Sequence, residues 1–562
     1  MPRAALDRLE EWKSRFGSPD TGRLEKLLRS LAGRGFRTAD DLIRLHEAAL
    51  FFRAYPPSAA AARLADAILF SFGRRIAGFT ARGGDATAFE EPEISGIAGT
   101  SLSAAFSWDV VRRLVSRHPR ELEIGWDRAD EPDRLAPATS RILPLLDEEW
   151  PVEAHTAQRE WIGAATPPGE SELAWLVERF ERLPAAPRDR ADLFAAMELP
   201  VTWRLGNSDA SRSRLRLGRR RLFFHREPLL RRRDVSLERE LAAPPLAVRR
   251  LARPEAREVL DLILDTSAVR FRELYGFSFP DGNGVFHARA GRGVDIYFFG
   301  VPPGRRLPLR AYHGGMFFKN GVPAGYVELL SFFERAEVGF NLYYTFRDGE
   351  SAWLYARLLR LFRQVLGVTT FSIDPYQVGH ENPEAIDSGA FWFYRKLGFR
   401  PASRGAARVL AREEERIGRV PQHRSSRRTL EKLAEGPMLY DGSPASGGAW
   451  DEFRIGNIGL AVQRIMAERF GGDPDRLRRA ATSRAKRVLG IESAGGLALV
   501  LGLVPGLEQW TGEEKRAAQA IVRAKEHAAE ARYLRLMQGH PRMRSAFLAL
   551  GSFTTRNNTP RP

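Results

Sequence analysis

Between residues 294 and 401 the sequence changes its hydrophobic period repeatedly and in a fixed order, and that succession constrains the architecture more than any other feature. Residues 294–301 form an apolar, aromatic run that reads as a strand. Residues 315–319 read as a second strand, joined through Asn320-Gly321, the strongest short hairpin signal, to a third over 324–333. A fourth strand over 338–346 meets the turn Arg347-Asp348-Gly349-Glu350-Ser351-Ala352, after which residues 353–366 repeat apolar side chains at helical spacing. Then come a strand over 369–373, a loop holding Pro375 and Pro383, and a helix over 384–397 that ends at Gly398. Upstream, 248–251 is a short strand, and a helix follows to about residue 272, with Pro254 in the favoured first turn. Hairpin-linked strands followed by helix, strand and helix predict an α/β (α+β) domain with a mixed, mostly antiparallel sheet.

That domain is flanked by different material. Apolar residues recur at helical spacing from Leu6 to Phe79, and residues 95–101, rich in glycine, read as a loop before a helix over 108–115. With 562 residues and about 150 per domain, three or four units are expected. The predicted division is a mainly helical region over 1–200, a basic β-rich segment over 201–245 and the α/β domain over 246–415. A linker over 416–450, a helical region over 451–553 and a disordered tail over 554–562 complete it.

There is no cysteine, which excludes disulfides, thiolate metal sites and cysteine nucleophiles. The amino terminus has charges every few residues and no apolar core of a secretory signal. The longest apolar run, 495–507, contains Pro505 and falls short of the roughly 20 residues needed to span a bilayer. A soluble, cytoplasmic bacterial protein without membrane partners is therefore expected.

The net charge of +17 points toward polyanions, but 79 arginines against eight lysines, with abundant Ala, Gly and Pro, also match the codon bias of a GC-rich genome. The excess is concentrated in residues 201–250, at net +9, and in 401–562, at net +11. Ten arginines lie between Arg212 and Arg233. Three readings stand for that strip: a solvated hairpin face, a contact with nucleic acid or another anion, and a contact between domains. The arginines of 476–487 likewise read as a solvated helix face or as a helical docking module.

The order of elements, and Ala390, Tyr394, Lys396, Gly398 and Phe399 in the run Ala-Phe-Trp-Phe-Tyr-Arg-Lys-Leu-Gly-Phe, resemble the GNAT acyltransferase superfamily over about residues 246–401. The resemblance implies an acyl-CoA-dependent N-acyltransferase, with acetyl-CoA or another acyl-CoA as co-substrate, an amine-bearing small molecule or protein as acceptor, and no metal. In that scheme the pantetheine arm lies as an added strand between the strands 338–346 and 369–373. The pyrophosphate sits on the turn at the end of that strand, where Phe346, Arg347, Gly349, Ser351 and Ala352 are the cofactor-binding candidates. Glu350 stands where the family has glycine, with Asp348 before it, and two carboxylates oppose a polyanion unless they point away.

Tyr394 aligns with the family's acid for the leaving thiolate; its helix face also reads as plain core. Glu328, in an otherwise apolar strand, is the candidate base, since burial would raise its pKa; an outward-facing glutamate is the other reading. Asp374, His380, Glu381 and His313 are reserves. No His-Glu-x-x-His helix, P-loop or Gly-x-Ser-x-Gly elbow is present. The competing class is a non-catalytic scaffold of the same fold, or a nucleic-acid-associated protein using the arginine strip and the carboxy-terminal helices.

Overall fold

The structure is a computed structural model that describes residues 2–17, 20–129, 134–143, 157–218, 221–271, 273–443 and 448–552. The expected tail over 554–562 lies outside the described residues.

Two sheets are built. The smaller joins β1 (Ser101–Ala104), β2 (Leu122–Ile124) and β3 (Val201–Arg204) in the antiparallel order β1-β3-β2. Leu102, Leu122, Val201 and Trp203 pack there with Val111, Leu114, Leu176 and Phe180 from the helices Trp108–Arg117 and Glu172–Arg182. Residues 1–200 are thus helical only in part, and the glycine-rich loop leads first into β1.

The larger sheet contains β4 (Val248–Arg250), β5 (Phe286–Gly291), β6 (Val294–Phe299), β7 (Ala311–Lys319), β8 (Val322–Phe332), β9 (Arg335–Leu342), β10 (Thr370–Ile373), β11 (Arg400–Pro401) and β12 (Met438–Asp441). Its order is β11-β12-β10-β9-β8-β7-β6-β5-β4. From β4 to β9 each strand is antiparallel to the next; β9 and β10 run parallel. Asn320 and Gly321 take φ of +50° and +83°, the paired positive values that a two-residue hairpin turn needs.

The helix Ser351–Leu366 covers one face, with Phe362 against Phe298 and Tyr355 against Phe340 at ring separations of 5.9 and 5.0 Å. The helix Arg253–Ala268 covers the other through Val259, Leu260 and Ile263, which meet Tyr297, Phe299, Met316 and Phe318. The amino-terminal helix Ala39–Ala54 abuts the β7–β8 turn, where Asn320 donates to the Ala54 carbonyl at 2.9 Å. At the opposite end of the strands, the Tyr533 hydroxyl of helix Glu530–Gln538 donates to the Leu309 carbonyl at 2.6 Å. One continuous core runs through these flanking helices and the sheet, so they are built onto it rather than tethered to it. Among the described residues no helix is long and apolar enough to cross a membrane.

Three expectations are corrected. Residues 201–245 are not β-rich: beyond β3 the described part is an irregular strap with one short turn, Arg232–Asp234, and the helix Leu237–Ala242. Side chains of the strap bind other elements: Arg212, 3% exposed, holds the buried Glu47 with two 2.9 Å hydrogen bonds, and Arg216 meets Asp66 at 2.7 Å. That part of the strip is a contact between regions, not a hairpin face. Second, residues 416–450 are not merely a linker, because they carry the helix Arg427–Leu433 and β12, which inserts between β10 and β11. Third, the helix over 384–397 is two, Pro383–Asp387 and Ala390–Arg395, separated where Gly389 adopts φ +69°. In the carboxy-terminal region, six helices stand between Ile455 and Gly551, and Arg476, Arg478 and Arg479 lie on an exposed face of Pro474–Leu489.

Candidate active site

The parallel pair β9–β10 is short. Thr370, Phe371 and Ser372 face Arg335, Ala336 and Glu337, after which β10 stops at Ile373 and β9 continues to Leu342. The strands part because Asp374 turns the chain: its side chain accepts from the Tyr376 amide and opens the short helix Pro375–Val378. Beyond Glu337, one edge of β9 therefore has no strand beside it. Gln377 fills the place. Its Nε2 donates to the Val338 carbonyl at 3.1 Å, and its Oε1 accepts from the Phe340 amide at 3.2 Å. A side-chain carboxamide thus makes the two hydrogen bonds that a peptide unit of a neighbouring strand would make.

Glu328 lies on β8 opposite Gly314 of β7 and Gly339 of β9, so the residues flanking it on its own face carry no side chains. The Tyr312 hydroxyl donates to its Oε1. Burial pushes the Glu328 carboxyl above the usual carboxylate range, and the Tyr312 hydrogen bond opposes that rise without cancelling it. Tyr312 is itself pushed far up, by burial and then by the adjacent carboxylate, and so stays protonated as the donor. Sequence reasoning passed over Tyr312, whose signal was its position beside Gly314, two residues from the glutamate's cross-strand partner.

Tyr394 lies on the opposite face. Its ring packs 5.6 Å from Tyr355 and 5.8 Å from Phe399, and Tyr355 in turn meets Phe340, whose cross-strand partner is Val327, not Glu328. Burial raises its pKa, leaving it a proton donor. Among the described residues no contact joins Tyr394 to Glu328; the opening between β9 and β10 lies between their two faces.

The turn after β9 resolves the question of its carboxylates. The segment read as strand to Phe346 leaves the sheet at Leu342 and ends in the tight turn Tyr344–Phe346, and Phe346, expected as a cofactor contact, is instead fully buried in the hydrophobic core. Glu350 points inward. It is 1% exposed and pairs with Lys319 at 3.1 Å and with Arg292 Nη2 at 2.5 Å, and it accepts from the Leu230 amide at 3.2 Å. Burial acts to raise its pKa, but Lys319 and Arg292 outweigh it and hold the carboxyl below the ordinary range. Asp348 is exposed and faces Lys13 at 3.5 Å. Arg347 is exposed and pairs with Glu384 at 2.7 Å. A Cβ at Gly349 would lie 2.5 Å from the Tyr55 hydroxyl, so glycine is needed there for a close approach by the amino-terminal helix. The amides of Ser351, Ala352 and Trp353, at the start of the helix, donate to no acceptor among the described residues.

The reserves are scattered. Asp374 is a cap, His380 and Glu381 are exposed on the following loop, and His313 is buried against the carboxy-terminal helices, where burial lowers its pKa to about 4. No cluster of three or more potential ligands is placed to hold a metal among the described residues. The fold and site define a mixed α/β protein with a largely antiparallel sheet that opens at one parallel strand pair. Neither family models, nor curated proteins, nor solved structures include a match to this chain.

Proposed function

We propose that the protein is an acyl-CoA-dependent N-acyltransferase of the GNAT type, acting at the opening between β9 and β10. The observation that carries this reading is the unpaired edge of β9 at Val338–Phe340, where Gln377 satisfies the backbone with a carboxamide. A pantetheine arm is a chain of amides, and it would use the same carbonyl and amide once Gln377 swings aside. The free amides of Ser351, Ala352 and Trp353 stand at the end of the helix where a pyrophosphate would be held, and Glu350 is turned away from it.

The acceptor would approach from the face of Glu328, above Gly314 and Gly339. Glu328 would take the proton as the amine nitrogen attacks the thioester carbonyl. The carbon–sulfur bond then breaks, and the departing thiolate takes a proton from Tyr394 on the other face.

The test is thermal unfolding of the full chain with acetyl-CoA and longer acyl-CoAs, against ATP as control. A saturable rise specific to CoA compounds is expected. The Gln377→Ala variant removes the competing carboxamide and should bind about tenfold more tightly, since two hydrogen bonds no longer have to be broken. Absence of any rise, in the wild type and in the variant alike, removes the donor and leaves the scaffold reading.

A further inference from the structure

The helix Ala390–Arg395 turns Tyr394 into the core and leaves Trp392 and Phe393 half-buried, with Lys396 exposed just beyond it. The strap crosses beside it, fixed where Arg232 Nη1 donates to the Lys396 carbonyl. Between them runs a groove of about 730 Å³ lined by Arg231, Arg232, Arg233, Trp392, Phe393 and Lys396, together with Gly389. Four cations and no carboxylate line it. It continues past Trp392 and Lys396 into a wider groove of about 1210 Å³ that adds Arg424 and Arg427. The acids of that second part are already engaged, Glu414 by Arg395 at 2.7 Å and Asp387 by Arg427 at 2.6 Å. Among the described residues the Arg231 guanidinium and the Lys396 ammonium form no ion pair, while Arg233 meets Asp234 loosely, at 3.9 Å.

Clustered cations in excess of their counter-charges attract a polyanion, and two aromatic rings among them offer surfaces on which bases stack. A duplex hides the faces of its bases, whereas an unpaired strand can splay them onto the rings. We propose that this groove binds single-stranded nucleic acid, with Arg231, Arg233 and Lys396 on the phosphates and Trp392 and Phe393 stacking the bases. The assignment is independent of the acyltransferase reading.

Fluorescence anisotropy with a labelled single-stranded RNA of about 12 nucleotides, across a salt series, tests it. The triple variant Arg231→Glu, Arg233→Glu, Lys396→Glu should lose about tenfold or more in affinity and flatten the salt dependence. Trp392→Leu should lose about fivefold or more at an unchanged salt slope, because it removes stacking and no charge. Replacing Arg476, Arg478 and Arg479 with glutamate makes the same charge change on another exposed face, and should lose clearly less than the groove triple. Equal losses for both triples, unaltered binding by Trp392→Leu, or binding of duplex or AMP as tight as that of the strand would each overturn the proposal. Thermal unfolding of each variant confirms that it is folded.

Discussion

Glu350→Ala is expected to lower the stability of the protein by about 3–5 kcal/mol in chemical denaturation, because it removes the counter-charge of the buried Lys319. Lys319 is 1% exposed, donates to the Arg292 carbonyl at 2.6 Å, and sits 4.4 Å from the centre of the Tyr55 ring. With the carboxylate gone it has no route to water, and Arg292 loses the same partner. Glu350→Gln keeps the shape and an acceptor and should lose less. The pH dependence has a definite sign. The folded-state pKa of Glu350 lies below its unfolded value, so its contribution is present above the ordinary carboxylate range and is lost as pH falls through the depressed value. The stability of Glu350→Ala should therefore fall less steeply than that of the wild type in that acidic window. A loss under about 1 kcal/mol at neutral pH would mean that water reaches Lys319 and that the cluster is not what orients the turn.

The largest effect on function is expected at Glu328. With an amine acceptor in hand, Glu328→Gln should cut CoA release by about 10²- to 10⁴-fold, the range for loss of a positioned base, with no loss of stability. Glutamine still accepts from the Tyr312 hydroxyl and removes a partly buried ionisable group. The second variant separates a base from a merely structural residue. Tyr312→Phe removes the hydrogen bond that opposes the rise in the Glu328 pKa, so that pKa should climb further. The acid limb of kcat/KM must then move to higher pH, and the carboxyl signal of Glu328 in an NMR titration must move with it. Full turnover in Glu328→Gln would place proton removal elsewhere.

The central sheet was legible because its signals are local: Asn320-Gly321 between two apolar runs, and a helix with apolar periodicity stopped by glycine. β5 was not, since Phe286 to Gly291 is short and of mixed character. β12 was hidden for a different reason. Met438 to Asp441 is four residues among Gly, Ser and Pro, and only the vacant edge of β10, distant in sequence, makes it a strand. The strap defeated composition: arginine runs look solvated, yet Arg212 is buried because Glu47, 165 residues away, lies against it.

Within the site, Glu328, Tyr394 and the 347–352 turn could be nominated from residue type and order, and the inward aim of Glu350 could not, because its partners come from the hairpins that end at Arg292 and Lys319. Gln377 carried no sequence signal at all. A glutamine in a loop becomes noticeable only when its carboxamide lands on the backbone of β9.

The place of β12 sets the order in which the sheet can be completed. Among the described residues β11 pairs with β12 and with no other strand, and β10 carries an open edge until residues 438–441 arrive. During synthesis, the strand beside the candidate site thus waits with unpaired amides while β11 and five helices, the last two being Arg404–Arg419 and Arg427–Leu433, are made. A chain stopped at residue 415, where composition suggests a boundary, would keep that edge for good and be prone to pair with another copy of itself. The piece that behaves as an independent folding unit must extend past Asp441, and the long loop it closes predicts slow, non-local final docking.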